Sequence, residues 1–207
     1  DIGIGSAAGF HELVQRSQGR WDLPISPQDF GVDVRTFPWW PVVEQILGQD
    51  AEHSFSGCVY SDPGTPAQEW HIDSPHEAGE HRPAHAINVL MSLQDVAMEM
   101  GPTEFVRGSH RLTNHIQNPA LSREKLIYQH AAISPDRLVR GTDELPPKKC
   151  VCDMPAGSFV VFDDRLMHRG LGNQSAKKRY MAYFSYRQSG YTVNTHFEAQ
   201  HSVFDPC

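Results

Sequence analysis

The chain has 207 residues, 39% hydrophobic and 21% charged, an ordinary balance for a soluble globular protein and enough for one generous domain or two small ones. Its formal charge of −7 disfavours nucleic acid or an anionic membrane surface as a partner, since both want a basic patch. No apolar run approaches the roughly 20 residues that span a bilayer, so a cytoplasmic setting is expected. The sequence opens Asp1-Ile2-Gly3-Ile4-Gly5, with neither Met nor a charged-then-apolar leader, and reads as a fragment or a trimmed chain. Cys58, Cys150, Cys152 and Cys207 contain no Cys-x2-Cys pair, so they read as reduced thiols rather than a zinc site.

Taken in chain order, residues 9–19, closed by Gly19, predict a short helix. The stretch from Trp21 to Pro41 holds four prolines and little periodicity, and is expected to be an extended surface arm. Residues 39–48 predict a second helix, with Pro41 in its first turn and Gly48 at its end. From there the texture is that of strands and turns. A β-prone run covers residues 55–60, and Asp62-Pro63-Gly64-Thr65-Pro66 is turn chemistry. Residues 74–84 are a polar loop. Residues 85–96 are almost continuously apolar and predict a long strand buried on both faces. Gly101-Pro102 turns into a strand over 103–106.

The 39 residues of 111–149 lack strand alternation and are too long for an ordinary connection, so they read as a partly helical insertion or lid. Strands resume at 150–153, 158–162 and 179–187, the last alternating Tyr180, Ala182, Phe184 and Tyr186 against the residues between. Short strands, with helices confined to the start and one insertion, predict a single mainly β domain, a sandwich or jelly roll.

The chemistry gathers around His71-Ile72-Asp73. On extended backbone, positions i and i+2 share a face, so an imidazole and a carboxylate can grip one metal ion together. The third ligand is expected from His168. Two histidines and one carboxylate on one side of a metal, with the other positions open, is the ligand set of non-haem Fe(II) oxygenases. Arg179 follows on the next strand, facing the same cavity, although Lys177 and Lys178 beside it also suit a solvated turn. Trp39, Trp40, Trp70, Tyr60 and Phe105 are candidates for lining a pocket, and equally for ordinary core. His76, His81 and His85 read better as loop residues than as a second metal site.

These elements together resemble the phytanoyl-CoA dioxygenase family. The likeness rests on His71-x-Asp73, Leu93-Gln94-Asp95, the run from Gly101-Pro102-Thr103 through Gly108-Ser109-His110, Gly157–Asp163, His168-Arg169-Gly170 and Arg179, in that order across residues 55–190. The resemblance implies a double-stranded β-helix (jelly-roll) core and an Fe(II)- and 2-oxoglutarate-dependent dioxygenase acting on a small organic molecule with O2. It assigns the metal to His71, Asp73 and His168, and the distal carboxylate of 2-oxoglutarate to Arg179. Thr103 would stand near the cosubstrate and Gln68 near its keto-acid end. The presence of Asp73 favours hydroxylation or another oxidation over halogenation, and His110 is expected to be structural. Some relatives carry a cosubstrate-binding serine where this chain has Gly170, which leaves more of that work to Arg179 and Thr103. The alternatives are a jelly-roll module that binds a metal or small molecule without turnover and, less favoured for want of an evident general base, a zinc hydrolase.

Overall fold

A computed structural model describes residues 14–74, 83–111 and 149–191. Its frame is a six-stranded antiparallel sheet built from β1 (Val14–Ser17), β2 (Arg20–Pro24), β3 (Glu52–Ser61), β4 (Ala86–Ser92), β7 (Phe159–Asp163) and β9 (Arg179–Arg187), in the order β1-β2-β3-β9-β4-β7. Facing it is a smaller sheet of β5 (Thr103–Val106), β6 (Lys149–Cys150) and β8 (His168–Gly170), in the order β6-β5-β8. This is the mainly β, jelly-roll arrangement that the strand pattern predicts.

Alternation along β9 shows how the large sheet separates its two faces. Ala182, Phe184 and Tyr186 turn outward beneath α1 (Trp40–Leu47), joining Trp39, Val43, Leu47, Ile87 and Val89 in the main apolar core. The helix is fixed there by the Trp39 indole, which donates to the Tyr186 hydroxyl at 2.7 Å inside that core. Arg179, Met181, Tyr183 and Ser185 turn the other way and line a cavity facing the small sheet. Trp39 and Trp40 are thus core residues, not pocket walls. Trp70 is also core, packed with Ile72, Val106 and Met167, and Tyr60 stacks on Trp21.

Four expectations need correction. The helix expected over 9–19 is overturned in its described part, because Val14–Ser17 pairs antiparallel with β2. Gly19, at φ +70°, is the turn of that hairpin and not a helix cap, and its carbonyl is held by the Asp62 amide and the Thr65 hydroxyl. The arm expected from Trp21 to Pro41 begins as β2, a paired strand of the large sheet, and only then leaves it. The strand expected over 85–96 stops at Ser92, whose hydroxyl turns back to the Gln94 carbonyl. The strand expected over 150–153 pairs only at Lys149–Cys150, because Met154 instead exchanges both backbone hydrogen bonds with Val96. Cys58, Cys150 and Cys152 are free thiols. Residues 9–13 of the expected first helix, most of the 74–84 loop and nearly all of the 111–149 insertion lie outside the described residues, as do His76, His81 and Cys207. Among the described residues no helix is long and apolar enough to cross a membrane.

His53 ties this core to pH. It packs edge-on against Tyr186, with ring centroids 5.7 Å apart, and burial pushes it down from its ordinary value to about 4. The unfolded chain, with an ordinary histidine near 6.5, therefore binds more protons than the folded one between those values. Stability from this group is complete above about pH 6.5 and drains away as the pH falls toward 4. Between pH 7 and pH 5 the wild type should lose about 2 kcal/mol more than His53→Phe, measured by urea unfolding at each pH. Parallel pH profiles for the two proteins would remove His53 as the cause.

Candidate metal centre

Residues 68–74 form no regular strand, yet they are laid antiparallel along the free edge of β8. Gln68 N donates to Gly170 O at 2.8 Å, His71 and His168 exchange backbone hydrogen bonds at 3.0 and 2.9 Å, and Asp73 N donates to Asp164 O at 2.9 Å. Extended backbone there alternates its side chains. Trp70 and Ile72 enter the apolar cluster with Val106 and Met167, while His71 and Asp73 face the cavity. The same contact places His168 opposite His71, with ring centroids 4.4 Å apart. The metal-ligand candidates named from sequence thus converge: donor atoms of His71, Asp73 and His168 all lie within 4.8 Å of one another.

Each donor is oriented from behind. His71 Nδ1 lies 2.8 Å from Glu69 O, and His168 Nδ1 lies 2.8 Å from Leu166 O. A carbonyl only accepts, so both Nδ1 atoms carry a proton, which leaves the Nε2 atoms as the metal-binding nitrogens. Desolvation in the cavity, followed by the neighbouring His168, holds His71 down to about 4, so its imidazole is neutral at pH 7. Asp73 Oδ2 accepts from the Asn88 amide at 2.6 Å and stands 3.6 Å from His168 Nε2. Ser185 donates in turn to Asn88 Oδ1, which fixes the amide with its NH2 toward Asp73. Phe105 stacks near His168, and Phe162 meets the same ring edge-on at 5.0 Å. Two imidazoles and a carboxylate, each pinned by a second group, suit a divalent transition metal.

The cavity between the sheets is also lined by the other three site residues named from sequence: Gln68, Thr103 and Arg179. Gln68 accepts at Oε1 from the Gly170 amide at 2.9 Å. Thr103 stands opposite Gly170 across the β5–β8 pair and is buried. Arg179 is fully buried, not part of a solvated turn. Its Nη1 donates to Gly101 O, its Nη2 donates to Ser61 Oγ at 3.1 Å, and Nε has no hydrogen-bond partner among the described residues. Burial holds it down to about 10. Its neighbour Lys178, by contrast, points out to an ion pair with Asp62.

Sequence reasoning missed Asn88, Arg16, Arg20, Asp22 and Tyr183, all beside or within this cavity. Asp22 is fully buried, accepts from Arg16 Nε at 2.9 Å and from the Tyr183 hydroxyl at 3.2 Å, and is pushed up by burial against those partners. The available signal was Arg20-x-Asp22, two charges sharing one face of a β-prone stretch. Of the remaining histidines, His85 is buried against Tyr191 and His110 sits in the short 3-10 turn Ser109–Arg111, whose Ser109 hydroxyl accepts from Met167 N.

A family model described as phytanoyl-CoA dioxygenase (PhyH) matches residues 5–181. The dioxygenase hkm4 of Aspergillus hancockii is 31% identical over 126 residues, which are 58% of this chain and 33% of that protein. This chain therefore spans about a third of that relative's length. The fold is shared with SnoN, a non-haem α-ketoglutarate-dependent epimerase from nogalamycin biosynthesis. The TM-score is 0.60 and the identity 16%, over 95% of this chain and 77% of SnoN. It is shared too with HygX of Streptomyces hygroscopicus, crystallised with nickel and 2-oxoglutarate bound, with TM-score 0.59 and 14% identity over 92% of this chain and 81% of HygX.

Nickel(II) titrated into the metal-free chain in a calorimeter should bind at one site and lose that binding in His168→Ala. Asn88→Ala keeps all three donors but releases Asp73, and should weaken the metal by about tenfold. Equal affinity in wild type and Asn88→Ala would show that the amide does not orient the carboxylate.

Proposed function

The chain belongs to the phytanoyl-CoA dioxygenase family, and on that premise we propose that it is an Fe(II)- and 2-oxoglutarate-dependent dioxygenase that oxidises a small organic molecule. The observation that carries this reading is one cavity holding two things at once: a convergent His71/Asp73/His168 donor set and the fully buried guanidinium of Arg179. A metal-binding fold has no need of the second. A cosubstrate that chelates a metal at one end and ends in a carboxylate at the other needs both.

His71 Nε2, Asp73 and His168 Nε2 would hold the iron, leaving its other positions to the cosubstrate and O2. When bound, iron supplies the redox chemistry that couples decarboxylation of 2-oxoglutarate to oxidation of the substrate by O2; in a hydroxylation one oxygen atom goes to succinate and one to the product, with CO2 released. The chain's own share is positioning. Arg179 offers its donors to the distal carboxylate, and burial strengthens that attraction by excluding water. Gln68 and Thr103 present an amide and a hydroxyl on the small-sheet side of the same cavity. Their role is to fix the cosubstrate's orientation against the donor set. Leu90, Val59, Met181 and Phe162 supply apolar wall, which keeps bulk water from the reacting centre.

Succinate release from 2-oxoglutarate, with Fe(II) and ascorbate in air and no added substrate, tests this. Slow turnover is expected in wild type and none above background in His168→Ala. Arg179→Ala should raise the 2-oxoglutarate concentration needed for half-maximal turnover by about a hundredfold or more, since it removes the charged partner of the distal carboxylate. A wild-type chain that binds metal yet neither binds nor decarboxylates 2-oxoglutarate would overturn the reading in favour of a non-catalytic binding module.

A further inference from the structure

Arg20 is a second guanidinium in the cavity, and the chemistry so far makes no use of it. In sheet register Arg20 stands beside Ser61 of β3, and Ser61 stands beside Arg179 of β9. The three side chains therefore form one row across three strands on the cavity face, each at most 2% exposed. Arg20 has no carboxylate partner among the described residues. It donates to the carbonyls of Pro66 and Leu171 at 3.3 and 3.4 Å, long for such bonds, and its Nε has no hydrogen-bond partner among the described residues. Asp22, two residues along the same face, is already held by Arg16 and Tyr183. After burial itself, the influences on Arg20 are the like charges of Arg179 and Arg16, which together bring it down to about 9. Two cations buried in one row without an anion are costly, and a ligand that brings a carboxylate relieves them both.

Gly170 shows that the space for Arg20 is made and not incidental. It lies in β8 with ordinary extended backbone, so its conformation does not call for glycine. What calls for it are Gln68 and Arg20 together: a Cβ at Gly170 would stand 2.7 Å from Gln68 Oε1, 2.8 Å from Arg20 Nη1 and 3.3 Å from Arg20 Cζ. Two residues after His168 and opposite Thr103, that missing side chain would point into the cavity. The guanidinium of Arg20 reaches across from the large sheet and fills its place.

We propose that Arg20 and Arg179 together clamp the distal carboxylate of the 2-oxo acid, and that Gly170 is the residue that admits Arg20 to the clamp. The inference rests on the cavity being a 2-oxoglutarate site. It adds a cosubstrate-binding residue and explains the missing side chain on β8. Each guanidinium presents nitrogens that its backbone bonds leave underused, and a carboxylate has acceptor sites enough for two such forks.

The test uses the nickel-loaded full chain, in which binding is read by calorimetry and no turnover intervenes. The probes are 2-oxoglutarate and 2-oxopentanoate, an acid of equal length that ends in a methyl group. Arg20→Gln should weaken 2-oxoglutarate about ten- to a hundredfold and 2-oxopentanoate less than about threefold, because only the first uses the cation. Gly170→Ala keeps the cation but displaces it together with Gln68, and should still weaken 2-oxoglutarate more than 2-oxopentanoate even if Arg20→Gln fails to fold. Equal weakening of both acids would reduce Arg20 to a structural role and overturn the clamp. So would an unchanged 2-oxoglutarate affinity in Arg20→Gln where Arg179→Gln loses it. A wild-type nickel-loaded chain that binds neither acid would overturn the functional reading itself, and the clamp with it.

Discussion

The backbone hydrogen bonds exchanged between His71 and His168 hold the site together. They join two segments distant in sequence at an isolated bridge between His71, which lies outside any regular strand, and His168 of β8. Because the bonds are reciprocal, they set the register of the whole 68–74 stretch against β8. A slip of one residue would turn Trp70 and Ile72 into the cavity and bury His71 and Asp73 in the apolar cluster. The register is therefore defended twice, by hydrogen bonds along the edge and by the unfavourable burial of a carboxylate that any slip entails. Arg169 adds an outer clasp. It stacks over Trp70 at 4.4 Å and donates to Glu104 of β5 at 2.9 Å, so the segment, β8 and β5 move as one piece.

The two sheets divide the electrostatic work. The small sheet and its docked segment bring the candidate metal donors, Gln68 and Thr103; the large sheet brings Arg20, Arg179 and the carboxamide that bonds Asp73. A bound anion with carboxylates at both ends would thus be gripped from both sheets. Among the described residues the arginines donate to carbonyls and a single hydroxyl, weak company for buried charge. The fold itself holds both guanidiniums at the cavity wall. Such preorganisation is what a binding site for a small, strongly hydrated dianion requires.

Much of this was legible in the sequence, and the exceptions share a cause. Strands β5 and β9 were bounded correctly because apolar residues alternate or run together where a face is buried. His71, Asp73 and His168 were readable because ligand types at i and i+2 and a distant histidine form a recognisable set. The N-terminal hairpin was not. Its strand β2 turns Arg20 and Asp22 inward and leaves Trp21 partly exposed against Tyr60 on the other side. That inverts the pattern by which strands are recognised, in which apolar residues mark the buried face. Asn88 was hidden for a related reason, as a polar residue within an otherwise apolar strand whose inner face lines a cavity and not a core. In both cases a polar residue on the buried face was the sign of a site, and a strand rule built on apolar burial passes over it.

The relation between Arg20 and Gly170 carries that lesson one step further. A glycine in the middle of a strand ordinarily weakens it, because it costs backbone entropy and packs nothing against its neighbours. Here the strand is only three residues long and the glycine sits opposite Thr103. The volume a side chain would take is already filled, by the Gln68 carboxamide of the docked segment and by the Arg20 guanidinium from the facing sheet. A side chain that is missing on one strand and a charge that is unpaired on another are thus one feature seen from two sides. Neither is interpretable from its own neighbours in sequence, because the contact that unites them crosses the cavity between the sheets.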